Sequence, residues 1–184
     1  MNRPRGRPVA GIAPDAILTA ALELLGTAGI DGFTMRALAG RIGVTPMAIY
    51  HHFGDRDGLI AAMADRVYAT VREPAGGAPR ARIEGLLLAY HAEVLRHPDL
   101  TLLILSRPRA FPEQARRITE AIARLLGGMG MTPRQSHLWV GILVDFTHGA
   151  AIAGALASKG EASAVHEAYD FGDALGELLR GLAG

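Results

Sequence analysis

Residues 34–54 read TMRALAGRIGVTPMAIYHHFG, and their punctuation decides the fold. Thr34 is an N-cap residue followed by Leu38, Ala39 and Ile42 at helical spacing, and Gly43 ends that run. Thr45 caps again, and Pro46 falls in the first turn of the next helix, where a missing N–H leaves nothing unpaired. That helix ends near Phe53-Gly54. Two short helices across a glycine turn form a helix-turn-helix when an apolar hinge sets their angle. Leu38, Ile42, Val44, Ile49 and Phe53 supply such a hinge. The second helix then offers Thr45, Ala48, Tyr50, His51 and His52 outward. Hydroxyls and imidazoles bond bases or phosphates, and an alanine methyl can meet a thymine methyl, so this face suits a major groove. The competing reading is an ordinary solvated helix.

Upstream, Asp15 after Pro14 is placed to cap a helix carrying Ile17, Leu18, Ala21, Leu22 and Leu25, with Gly29 as its stop and Asp31-Gly32 as a turn. Downstream, Asp55 caps a fourth helix through Leu59, Ile60, Met63 and Val67 to about residue 72, and Asp57 favours its N-terminal dipole. A DNA-binding domain is therefore expected over 13–58, with helix four running onward from 55. Before it, residues 1–12 form a basic arm containing Arg3-Pro4-Arg5-Gly6-Arg7-Pro8, the core of an AT-hook. Narrow A-tract minor grooves are strongly negative and attract inserted arginine, and Gly6 lets the backbone approach the groove floor. The arm is expected to place Arg3, Arg5, Gly6 and Arg7 there. The alternative is a basic tail giving only salt-dependent, non-specific affinity.

Residues 73–79, EPAGGAP, mark a linker. A second helical domain follows over 80–184, with helices expected at about 80–96, 99–106, 112–127, 133–158 and 168–182. Pro98, Pro108, Pro112 and Pro133 punctuate them. No strand-like alternation is present, so the fold class is all-α. Hydrophobic residues make up 49% of the chain and aromatics 5%, so the core is built mainly from Ala, Leu, Ile and Val. The net charge is +1, and any nucleic-acid contact must come from local charge. The absence of cysteine excludes disulfides, thiolate zinc sites and Cys nucleophiles and fits a cytoplasmic protein.

Residues 9–13 are too short and too soon broken for a secretory signal. The nearly apolar stretch 137–157 has Asp145 and His148 at its centre, so a buried helix is expected rather than a membrane partner. His137, Asp145 and His148 share one face of that helix. Hydrogen bonding at an interface is favoured there over a metal, and no cofactor is expected. Gly141, Gly149, Ala150, Ala153, Gly154 and Ala157, with Phe171, Leu175, Leu178, Leu179 and Leu182, suit either intramolecular packing or a four-helix dimer interface. The Gly-rich phosphate loop, the G-x-S-x-G elbow and the HExxH motif are all missing, and adjacent Ser136-His137 point to different helix sides, so the chain is not read as an enzyme.

Residues 16–60 resemble the DNA-binding domain of TetR-family regulators. The matching features are Gly29-x-x-Gly32-Phe33-Thr34, Arg36-x-Leu38-Ala39, Gly43-Val44, Ile49-Tyr50-His51-His52-Phe53 and Leu59. The resemblance implies that Arg36 reads a base or phosphate. It also implies that Thr45, Pro46, Ala48, Tyr50 and His52 face the bases, and that Arg56 meets a phosphate. More loosely, His97-Pro98, Arg107-Pro108, Glu120 and Phe146-Thr147-x-Gly149 resemble the C-terminal domain of tetracycline-repressor-like members. That implies a ligand pocket in each subunit and a dimer through the last two long helices. Where those members use His, Asn, His and Gln, this chain has Arg72, Leu86, Leu103 and Ile122, so neither tetracycline nor its magnesium chelate is expected. The implied contacts are Leu86, Tyr90, Leu103, Ser106 and Ile122, which suit an apolar or aromatic molecule.

The expected function is a homodimeric repressor of operator DNA released by an unidentified small-molecule effector. The alternative is an effector-independent architectural DNA-binding protein.

Overall fold

The computed structural model describes residues 12–158 and 170–182. The arm contacts expected of Arg3, Arg5, Gly6 and Arg7 lie outside the described residues. Among the described residues the regular structure is helical throughout: α1 (Pro14–Gly32), α2 (Met35–Ile42), α3 (Pro46–Phe53), α4 (Arg56–Tyr68), α5 (Pro79–Arg96), α6 (Pro98–Leu105), α7 (Glu113–Gly128), α8 (Pro133–Ser158) and α9 (Phe171–Gly181). A 3-10 turn, Pro108–Ala110, joins α6 to α7.

Caps explain most of the boundaries. Thr34, Thr45 and Asp55 each accept from the backbone N–H three residues on, at 3.1, 3.3 and 2.7 Å. Gly43 turns the chain in the left-handed region, φ 72°. Gly58, in the first turn of α4, is needed for a different reason: a Cβ there would lie 2.1 Å from the Phe53 carbonyl oxygen. Its absence lets α4 start against the end of α3.

Three boundaries differ from expectation. Asp15 is not the cap of α1; Ala13 takes that position without a side-chain bond, and Asp15 sits in the acidic first turn. Gly29 interrupts α1 at φ 67°, but helical structure resumes to Gly32 because the Phe33 N–H bonds back to the Gly29 and Ile30 carbonyls. Helix α4 ends at Tyr68 rather than near residue 72. The chain turns there to bury Val71 and to place Glu73 between Arg82 and Arg124.

Residues 73–79 are accordingly anchored at their start. Arg82 also donates to the Pro74 carbonyl at 3.1 Å, and a Cβ on Gly85 would lie 2.8 Å from Pro74 Cγ. One continuous apolar cluster runs from Ile17 and Leu38 through Ile60, Met63 and Leu87 to Leu126, Leu143 and Leu175, so α4 carries the core across between the two expected domains. By length and mean hydropathy α8 is apolar enough to cross a bilayer, yet its Leu143, Thr147, Ala151 and Ala155 face packs against α5, α6 and α7. Its opposite face leaves Leu138, Ile142 and Leu156 exposed.

Candidate nucleic-acid interface and ligand cavity

Helix α3 is held from beneath by Ile49, which is fully buried, and by half-buried Phe53. That anchorage leaves Thr45, Met47, His51 and His52 exposed, with Pro46, Ala48 and Tyr50 half-buried beside them. Met47, at 71% exposure, stands out because a large apolar side chain normally avoids water. Helical spacing from buried Ile49 turns position 47 outward, a signal that sequence reasoning passed over. Arg36 projects from α2 into solvent and forms no ion pair among the described residues. Ile12 shares a depression with Val44, Thr45, Ala48, His51 and His52. Ile12, the first described residue, therefore lies at the edge of this face.

Arg56 is placed differently from the expectation of a phosphate contact. Its guanidinium turns inward, donating to the Phe33 carbonyl at 2.8 Å and lying 5.6 Å over the Phe33 ring. The hydrogen bond and the aromatic face partly compensate the half-buried charge, while Arg56 Nε is left without a partner among the described residues. Arg56 thus pins α4 to the end of α1.

A cavity of about 230 Å³ opens between α4, α5, α6, α7 and α8. Tyr68 comes from α4 and Tyr90 from α5, and their rings meet edge-to-face at 5.1 Å. The Tyr68 hydroxyl shares a 3.0 Å bond with buried Thr101, and the Tyr90 hydroxyl lies 2.7 Å from His148 Nε2. Ile104, Ile118 and Val144 complete an apolar wall, and Leu105 and Phe111 border the cavity. Burial pushes the Tyr68 and Tyr90 hydroxyls up and the His148 imidazole down, with exposed Asp145 opposing the latter, so all three favour their neutral forms.

Of the five residues expected at a ligand, only Tyr90 lines this cavity. Leu103 and Ile122 are packed in the core, and Leu86 is buried beneath a separate groove beside Arg72 and Arg117. The Ser106 hydroxyl is spent on the Leu103 carbonyl at 2.9 Å. The resemblance that implied these four does not give the rotation of each helix about its axis. His148 reaches the cavity, whereas His137 and Asp145 stay exposed, and no metal-binding cluster occurs among the described residues. Tyr68, Thr101 and Phe111 were missed by sequence reasoning.

Two polar joints tie this region to α4, which packs against α3. Arg107, just after α6, pairs with Asp57 at the start of α4, and Asp65 of α4 accepts from the Gln114 N–H at the start of α7 at 2.7 Å.

Residues 17–63 match the family model described as bacterial regulatory proteins, tetR family. The HTH-type transcriptional repressor DrrR1 of Streptomyces coeruleorubidus is 30% identical over 134 residues, covering 71% of this chain and 49% of that protein. The tetracycline repressor protein class A of Escherichia coli is 41% identical over 58 residues, 32% of this chain and 27% of that protein. The chain thus spans half or less of the length of these curated relatives. Among solved structures, BioQ of Mycobacterium smegmatis superposes with a TM-score of 0.80 at 26% identity, covering 94% of this chain and 98% of that one.

Proposed function

We propose, on the premise that this chain belongs to the tetR family of bacterial regulatory proteins, that it is a homodimeric transcriptional repressor whose grip on operator DNA is released by a small, largely apolar or aromatic ligand. It acts as a regulator in the cytoplasm and not as an enzyme. The observation that carries the reading is the shared use of α4: its first turn abuts the recognition helix, and its last residue, Tyr68, lines the cavity. A molecule entering the cavity presses on the helix that supports α3.

Arg36, Thr45, Pro46, Ala48, Tyr50 and His52 are the proposed DNA contacts, with Arg3, Arg5, Gly6 and Arg7 in the flanking minor groove. Two recognition helices must meet major grooves about 34–36 Å apart, which requires two copies. The exposed apolar face of α8, with Leu138, Ile142 and Leu156, supports a dimer through that helix. A coupling of about 1–3 kcal/mol between ligand and DNA suffices for a switch.

The test is selection of bound duplexes from a random pool by the purified protein, followed by sequencing. A palindromic motif with A/T-rich flanks is expected. Enrichment of A/T content alone would instead favour an architectural DNA-binding protein with no effector.

A further inference from the structure

The cavity's polar side chains are already committed, the Thr119 hydroxyl to the Arg116 carbonyl at 2.8 Å. Tyr90 meets His148 Nε2 at 2.7 Å, and Tyr68 meets Thr101 Oγ1 at 3.0 Å. The Thr101 hydroxyl can donate onward to the His97 carbonyl at 3.5 Å, leaving its oxygen to accept from Tyr68. The Tyr90 proton goes to Nε2 in the His148 tautomer that carries its hydrogen on Nδ1. In that arrangement both phenol protons are used within the protein, and the phenol oxygens keep unfilled acceptor capacity. No Lys, Arg, Asp or Glu lines the cavity among the described residues. A ligand carrying a full charge would therefore be desolvated without a partner, which is costly. An acceptor-only group would face lone pairs.

We infer that the cavity selects a neutral, planar aromatic molecule bearing a hydroxyl that donates to the Tyr90 phenol oxygen. This rests on the reading of the cavity as the effector site and names the chemistry that site would take. The ring lies among Tyr68, Phe111, Ile118 and Val144, where aromatic edges and branched aliphatics give contact on both faces. The volume, about 230 Å³, falls below the roughly 300–1,000 Å³ of drug-sized sites, so one or two fused rings are the right scale. The ligand hydroxyl extends an existing chain, hydroxyl to Tyr90 to His148, without breaking the bond in it. Chains of this kind polarise one another in a low-dielectric interior.

The experiment is calorimetric titration of the full chain with 2-naphthol, 2-methoxynaphthalene, naphthalene and 2-naphthoate. One net hydrogen bond predicts that 2-naphthol binds about tenfold more tightly than naphthalene or 2-methoxynaphthalene, with 2-naphthoate weakest. In Tyr90→Phe, which keeps the ring, the preference for 2-naphthol over naphthalene should shrink. His148→Leu should also weaken 2-naphthol selectively, which serves if Tyr90→Phe is poorly folded. Equal binding of 2-naphthol and naphthalene overturns the hydroxyl assignment and leaves an apolar effector site standing. Tightest binding by 2-naphthoate, or a preference untouched in both variants, also overturns it. Binding of none of the four overturns both the assignment and the cavity reading.

Discussion

The Arg107 guanidinium donates to the Asp57 carboxylate at 2.9 Å, bridging the segment after α6 and the first turn of α4. The same segment borders the cavity through Phe111, together with Leu105 at the end of α6, and the same turn abuts the end of α3 across Gly54. One ion pair therefore lies between the place where a ligand would sit and the helix that would read DNA. Because both groups are partly exposed, breaking it should cost under about 1 kcal/mol of stability. Its effect on the position of α4 is larger in consequence. Arg107→Ala and Asp57→Asn are each expected to leave the urea midpoint nearly unchanged while altering operator affinity by about 0.5–2 kcal/mol, read by fluorescence anisotropy. Unaltered affinity in both variants would show that the pair is only a surface contact.

Asp65 is the cap of a helix in the other half of the molecule. Its carboxylate accepts from the Gln114 N–H at the start of α7, a helix whose own N-cap, Pro112, provides no side-chain bond. Asp65→Ala should destabilise the protein by about 1 kcal/mol, as loss of a cap and of an anion at a helix N-terminus does. Asp65→Asn keeps an acceptor and should recover much of that loss. The urea midpoint with unchanged slope is the measure; equal stability of Asp65→Ala and the parent would contradict it.

On the recognition helix, Tyr50 and Met47 are expected to do different work. The Tyr50 hydroxyl has no hydrogen bond among the described residues, so Tyr50→Phe should weaken operator binding without unfolding the domain, by about 1–3 kcal/mol if it meets a base edge. Met47 carries no polar atom capable of base discrimination by strong hydrogen bonds, and its exposed side chain suits a thymine methyl. Met47→Ala should relax preference at one A·T position in duplex selection and leave the salt slope unchanged. A changed slope would point to phosphate contact instead.

His91 gives the fold a pH dependence. It stacks on Phe171 with ring centroids 3.9 Å apart, joining α5 to α9, and burial lowers its pKa despite the opposing Asp170 carboxylate. The folded pKa lies below the unfolded value of about 6.5. Its contribution is therefore present above that value and lost as pH falls through the folded pKa. His91→Phe should narrow the fall in Tm between neutral and mildly acidic pH. His97 and His148 are lowered for the same reason, so part of the fall should remain. An unchanged pH profile in His91→Phe would place the dependence elsewhere.

The DNA-facing half was legible from local chemistry. Thr34, Thr45 and Asp55 announce helix starts because a side-chain oxygen three residues before a free N–H is a local event, and Gly43 announces a turn because its conformation is local too. The helical class, the placement of α5 to α8 and the outward side of α3 follow from the same short-range rules. Which residues meet inside the C-terminal half did not follow. Leu86, Leu103 and Ile122 satisfy a helical pattern equally well in a core or at a cavity, and only packing of α4 against α5, α6 and α7 assigns the cavity to Tyr68, Tyr90, Thr101 and His148. The inward turn of Arg56 and the pairing of Arg107 with Asp57, 50 residues apart, likewise depend on how helices approach. Caps and periodicity are short-range and survive in sequence; helix rotation and long-range contact are properties of the assembled core, and the tertiary structure alone decided them.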